Sequence, residues 1–428
     1  MNAVFFAIVL VAFLVAALRQ LAGTAGPAPM EAVGAAMIEA AGGSVTLAIG
    51  LIGVMALFLG LMKVAEAGGL LTVIARLLRP LMVRLFPEVP PDHPAMGAMI
   101  LNIAASALGL GNAATPLGIR AMQGLDSLNP HKGTATDAMA LFLAINTATL
   151  TLLPTTVIAA RAAAGSTDPA GIVPTALFAS ICSMAAAIAA AKLLQRLYPL
   201  PPAPAPAGEA APAPLLPDCG DDHPGKAYPA WVSLLALAGL FALVPLTLLY
   251  GRAVAAWIIP GLTVGLLGFG MMRGVRVYDL FVEGAREGFE VAVRIIPYLV
   301  AILVAVAMFR ASGAMDLLVR PLGIVTTPLG LPPEALPMAL LRSLSGSGAY
   351  GVMAAILQDP AIGPDSYVGY LVSTIQGSSE TTFYVLAVYF GAVQVRRIRH
   401  ALAAGLIADA AGVAGSVAIC LYLFGPGV

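Results

Sequence analysis

The stretch with the densest chemistry is Ile375 to Tyr384, I-Q-G-S-S-E-T-T-F-Y, which sets a glycine, five hydroxyls, an amide and a carboxylate inside an otherwise apolar run. In hydrocarbon a spanning segment must satisfy its own backbone polar groups, and irregular backbone survives there only under protein or against a water-filled cavity. An ionisable group at that depth marks a functional site, so Glu380 leads the candidates, with Gln376, Gly377, Ser378, Ser379 and Thr381 around it. The chemistry on offer is recognition of a polar solute by hydrogen bonds, or carriage of a coupling proton on the carboxylate. Serines and threonines returning hydrogen bonds to their own helix, or gluing neighbouring helices at about 1 kcal/mol each, explain any single hydroxyl, but not Gly377 beside Glu380.

A second polar break lies at Ile145 to Pro154, I-N-T-A-T-L-T-L-L-P, with Asn146, Thr147, Thr149 and Thr151. Asn146 stands in register with Gln376, and Thr151 with Thr381. Two glycine breaks accompany them: Gly109 to Gly118, holding Asn112 and Thr115 ahead of Pro116, and Ser343 to Gly348, holding Ser345 and Ser347. Close packing through small residues and contact with a ligand explain these two equally well. Arg342, just before the second glycine break, either pairs with Glu380, meets an anionic solute, or snorkels to the interface. Asp409, in the last apolar run, is either a buried structural carboxylate or a second proton-coupling candidate beside Glu380.

These residues belong to a chain of 428 residues that is 60% hydrophobic and only 10% charged, with a mean hydropathy of +0.93. Soluble domains carry about 25% charge, so the composition is that of an integral membrane protein. Apolar segments near the length that crosses about 30 Å of hydrocarbon recur without strand-like alternation, which gives an all-α polytopic class. Lysine plus arginine balance aspartate plus glutamate at 22 each, which argues against a nucleic-acid partner. Cys182, Cys219 and Cys420 are too scattered for a disulfide framework, and D-C-G-D-D-H around Cys219 reads as solvated linker rather than a metal site. His93, His131, His223 and His400 have no zinc-like spacing, and no phosphate-binding loop occurs, so neither a metal, a cofactor nor an enzymatic activity is expected.

The spans expected in order are residues 3–22, 44–62, a broken 95–122, a broken 137–160, and 174–194. After a Pro/Ala-rich linker at 197–227 come 228–249, 253–272, 291–309, a broken 333–357, a broken 367–395, and 401–424. Amphipathic segments are expected at 30–41, 63–86, 277–290 and 310–330. The broken 95–122 run reads as two half-helices meeting at Asn112, a re-entrant hairpin. Residues 1–196 and 228–428 therefore repeat one order of elements, and L-L-R-P-L at Leu77 to Leu81 matches L-V-R-P-L at Leu318 to Leu322. Basic residues after spans, such as Lys192 with Arg196, Arg273 with Arg276, and Arg396, Arg397 and Arg399, set the cytoplasmic side. On that orientation the two repeats are inverted, the span at 228–249 supplying the extra crossing. Arg19 and Arg310 fall on the outer side.

G-L-G-N-A-A-T-P-L-G-I-R-A-M with F-L-A-I-N-T-A-T resembles spore maturation protein A, and F-V-E-G-A-R-E-G-F with Q-G-S-S-E-T-T-F-Y-V resembles spore maturation protein B. The similarity covers nearly the whole chain outside the linker. It is that of a fusion of the two, within a nucleoside-recognition or Gate-domain group similar to parts of concentrative nucleoside transporters and of the ferrous-iron transport membrane domain. The resemblance implies a protein of the bacterial cytoplasmic (inner) membrane, multi-pass, that binds or passes a small solute.

Two functions are consistent with these readings. One is a secondary transporter or channel whose site, built from the four breaks, takes a nucleoside-like or small carboxylate solute. The other is a non-transporting scaffold, or a protein that binds a solute or membrane lipid. A homo-oligomer is expected from the general habits of membrane transporters.

Overall fold

The computed structural model describes residues 2–23, 28–199 and 228–425. Residues 200–227 of the linker, with Cys219 and His223, lie outside the described residues, as does the side chain of Asn112. Among the described residues the regular structure is helical. The first half runs α1 (Asn2–Leu21), α2 (Pro29–Ala67), α3 (Leu70–Leu85), α4 (Pro94–Ala107), α5 (Gly111–Ser127), α6 (Asp137–Thr147), α7 (Thr155–Ala163) and α8 (Val173–Leu194). The second half runs α9 (Ala230–Met272), α10 (Val277–Ala311), α11 (Ala314–Thr326), α12 (Leu336–Leu344), α13 (Gly346–Gln358), α14 (Tyr367–Ser378), α15 (Thr382–Ala392) and α16 (Ala401–Phe424). The chain is an all-α membrane protein: α2, α8 with its leading turn, and α16 are long and apolar enough to cross a bilayer.

Three expected boundaries disappear. The amphipathic piece at 30–41 and the span at 44–62 form one helix, α2, and the same happens at 277–290 and 291–309 in α10. The cause is their mutual packing. A Cβ on Gly284 would lie 2.6 Å from the Leu59 carbonyl oxygen, and one on Gly288 would lie 2.7 Å from Ala56 Cα, so the two backbones meet almost without side chains between them. Lys63 Nζ then reaches Glu287 at 2.7 Å and Glu283 at 3.4 Å. At the opposite end Ala40 and Ser44 share a cleft with Leu303 and Arg310, so the helices run antiparallel over their whole length. This packing outweighs Gly42 and Gly43, whose helix penalty is about 1 kcal/mol apiece. The runs at 228–249 and 253–272 likewise join in α9, because Gly251 and Arg252 do not suffice to end a helix.

The four expected breaks are present. Helices α4 and α5 pack on each other as a hairpin, with Gly124 so close to Ala95 that a Cβ would stand 2.8 Å from Ala95 Cβ. The turn falls at Leu108 to Leu110, however, three residues before Asn112, because Gly109 adopts φ +75°. Pro116 accordingly sits inside α5. The other breaks separate α6 from α7, α12 from α13, and α14 from α15. Helix α6 is buried on all sides from Ala138 to Thr147, as expected of a helix at the centre of a bundle.

Contacts are exchanged between the halves. Helix α1 packs on α10 while α9 packs on α2, and α6 packs on α16 while α14 packs on α8. Helices α8 and α16 cross antiparallel: Ser183 Oγ donates to the Ala408 carbonyl at 2.9 Å, and a Cβ on Gly415 would lie 3.3 Å from Ala179 Cα.

Candidate functional site

All four breaks border one cavity of about 430 Å³. In the first half, the turn after α4 and the stretch between α6 and α7 are tied together, since Leu152 N donates to the Ala107 carbonyl at 2.9 Å. Ser106 and Gly109 of the first, Thr149 and Thr151 of the second, and Thr115 in the opening turn of α5 all line the space. Asn146 ends α6 with its Nδ2 donating to the Phe142 carbonyl at 2.9 Å, which turns its Oδ1 towards Tyr389 Oη at 3.4 Å. Tyr389 Oη in turn accepts from Asn102 Nδ2 at 3.3 Å, and the same amide holds the Ala114 carbonyl at 2.8 Å. Asn102 thus fastens α4, α5 and α15 behind the cavity wall.

In the second half, Ser345 is extended, and its Oγ caps α13 by accepting from Gly348 N at 3.0 Å. Gly346 must be small, since a Cβ there would stand 2.8 Å from Thr381 Oγ1. Arg342, in the last turn of α12, is only 4% exposed. Its Nη1 donates to Thr381 Oγ1 at 3.3 Å, its Nη2 lies 3.9 Å from Glu380 Oε2, and its Nε has no hydrogen-bond partner. The Glu380 side chain is 55% exposed and opens on the cavity. Its backbone N donates to the Thr147 carbonyl at 2.8 Å, a bond that joins the two polar breaks. Gln376 and Gly377 line the space from the last turn of α14, and the Gln376 Oε1 is buried without a partner.

Of the residues singled out in the sequence, Thr115, Asn146, Thr149, Thr151, Arg342, Ser347, Gln376, Gly377, Ser379 and Glu380 line this one cavity. Five others stand beside it. Thr147 and Thr381 hold Glu380 and Arg342, Ser345 caps α13, and Ser378 Oγ returns a bond to the Ile375 carbonyl at 3.1 Å. Asp409 lies one layer back, where its Oδ2 accepts from Thr382 Oγ1 at 2.6 Å and its Oδ1 has no partner. Sequence reasoning missed Thr155, Thr156, Tyr350 and Tyr389, which also line the space, as does Tyr384 at the end of the polar stretch. Thr155 and Thr156 directly follow Pro154 and extend the polar break, a signal that was readable; Tyr350 and Tyr389 lie in ordinary apolar helices and give none.

The cavity is therefore polar on several sides, and among the described residues that line it the charged ones are one arginine and one glutamate, both from the second half. Helices α5, α7, α13 and α15 begin at it and α4, α6, α12 and α14 end at it. Amide and carbonyl ends, with their opposite partial charges, face one space. Among the described residues no three His, Cys, Asp or Glu side chains gather as a metal site.

Comparison with known proteins places these features in context. A family described as nucleoside recognition (Gate) matches residues 48–164 and 292–396, two segments that contain all four breaks. Spore maturation protein B of Bacillus subtilis is 46% identical over 167 residues, 39% of this chain and 93% of that protein. Spore maturation protein A of Bacillus subtilis is 46% identical over 159 residues, 37% of this chain and 81% of that protein. Inner membrane protein YjiG of Escherichia coli is 33% identical over 81 residues, 19% of this chain and 53% of that protein. No solved structure matches the chain.

Proposed function

The chain belongs to the nucleoside recognition (Gate) family and joins lengths similar to spore maturation proteins A and B in one bacterial membrane protein; from that premise we propose that it is a multi-pass inner-membrane secondary transporter or channel-like protein for a small polar solute. The observation that carries the reading is the cavity itself, bordered by two chain breaks from each half. Interrupted helices that meet around a polar space are the plan by which secondary transporters bind a solute at mid-membrane. The antiparallel α2 with α10 and α8 with α16, and the exchanged contacts of α1 with α10 and α9 with α2, support inverted repeats. In such a pair, rocking of one repeat on the other exposes the site to each side in turn. Hydrogen-bond donors and acceptors with a single pair of opposite charges suit a neutral or internally balanced solute. No catalytic step is assigned to these residues.

The test is a thermal-shift screen of the purified chain against nucleosides, amino acids, small carboxylates, metal ions and lipids, run beside Glu380→Gln. A ligand that binds only the folded form adds about 2.7 kcal/mol of stability at a hundredfold excess over its Kd. A solute that stabilises the wild type and loses its effect in the variant is expected, followed by its flux into proteoliposomes. Stabilisation by lipids alone would sink the transporter reading in favour of a membrane scaffold.

A further inference from the structure

We infer that the solute is a small zwitterion of the amino-acid class, its carboxylate held by Arg342 and its ammonium by Glu380 and Gln376; this rests on the transport reading above and narrows it to one chemistry. The guanidinium of Arg342 is buried yet under-used. It makes one hydrogen bond to a neutral hydroxyl, its Nε has no partner, and Glu380 Oε2 at 3.9 Å is well beyond the 2.7–2.9 Å of a formed charge-assisted bond. Burying a cation in this condition is costly unless something anionic completes it. Glu380 presents a half-exposed carboxylate to the same space, and Gln376, which lines it, keeps its Oε1 buried without a partner just behind the wall.

Only a solute with both signs satisfies the set. A lone carboxylate on Arg342 would stand against Glu380 and leave that acid uncompensated. A lone amine would do the same to Arg342, and a neutral polyol would leave the guanidinium with only the loose pairing to Glu380 and the charge of Asp409 behind the wall, neither of them a direct bond. A zwitterion enters between the two charges, so that each loosely paired protein group exchanges a 3.9 Å partner for a direct one. The uncharged first-half wall, Thr115, Thr149 and Thr151, is left for the side chain of the solute.

The decisive experiment measures thermal stabilisation of the purified full chain by a panel of α-amino acids, by the amine and the carboxylic acid obtained by deleting one charged group from each, by nucleosides, and by phosphoethanolamine as the zwitterion of a lipid headgroup. The expected result is that at least one amino acid stabilises the wild type while both its truncated analogues lose tenfold or more in apparent affinity, about the worth of one hydrogen bond to a charged group. Glu380→Gln should then weaken the amino acid by a similar factor and bring its affinity close to that of the deaminated acid. Should Arg342→Gln fail to fold, Arg342→Lys keeps the charge without the fork and should weaken the amino acid selectively over the amine. Equal stabilisation by a nucleoside, or by the deaminated acid alone, would overturn the zwitterion and leave the transport reading standing. A response to phosphoethanolamine alone would assign the site to lipid and overturn the inference, and silence across the whole panel would overturn the zwitterion while the broader solute screen decides the transport reading.

Discussion

Tyr389 shows how a residue with no polar signature in the sequence can order a site. Its hydroxyl accepts from Asn102 and faces Asn146, its ring stacks on Phe142 with centroids 6.1 Å apart, and Gly118 leaves the space it occupies. A Cβ on Gly118 would stand 2.2 Å from that hydroxyl. Gly118→Ala is therefore expected to destabilise by about 1–3 kcal/mol, the usual penalty of overpacking, and to weaken solute binding as the ring is displaced. Melting temperature and binding measured on one preparation check this; an unchanged affinity would show that Tyr389 does not set the cavity. Thr382→Val tests the layer behind. Asp409 would lose the 2.6 Å hydroxyl bond, at about 1–3 kcal/mol for a buried acceptor left unmet, read as a lower melting temperature.

At the scale of elements, the site depends on short helices that begin and end inside the protein. Nucleation makes such helices unstable alone, so their caps and tertiary contacts carry them. Thr136 caps α6 by accepting from Met139 N, Ser366 caps α14 from Gly369 N, and Ser345 caps α13 from Gly348 N. Alanine at each is expected to lower stability by about 1 kcal/mol. The three should differ in function: Thr136→Ala and Ser366→Ala act at outer ends and should leave affinity unchanged, whereas Ser345→Ala loosens the end of α13 that borders the cavity and should weaken binding. Equal effects on affinity from all three would argue that the caps act only through global stability.

Across the whole molecule, the halves are latched crosswise. Arg161, in the last turn of α7, donates Nη1 to the Pro364 carbonyl at 2.6 Å and Nη2 to Asp365 at 3.1 Å, at the entry to α14. Arg399, after α15, donates Nη1 to the Ala135 carbonyl at 3.0 Å and lies 2.7 Å from Asp137, at the entry to α6. Burial works to raise the Asp365 carboxyl, but hydrogen bonds from Ser166 and Thr167 and the charge of Arg161 prevail and hold it below the ordinary carboxylate range. Asp365 therefore adds stability that is present above its unfolded value near 4 and is lost as pH falls through its lower folded value. Nearby Asp168 acts in the opposite sense, its carboxyl raised chiefly by burial. Comparing Asp365→Asn with wild type isolates the first: the variant should be less stable at pH 7, and the gap should close as pH falls below 4. A gap that does not narrow as pH falls below 4 would mean the latch does not depend on the charge of Asp365.

The sequence alone determined the class and the breaks, because each is a local property. Apolar length makes a spanning helix, and Gly109, Asn146, Ser345 or Gly377 in an apolar run announces a break whatever surrounds it. It did not give the true lengths of α2, α9 and α10, since Gly42 with Gly43 and Gly251 with Arg252 weaken a helix only as far as its neighbours allow. Nor did it choose among the three readings of Arg342. Only the tertiary structure brought α12 against the break between α14 and α15, set that arginine 3.9 Å from Glu380, and joined both to a first-half wall of threonines more than a hundred residues away. Proximity of that kind is a property of packing between helices, and no single segment carries it.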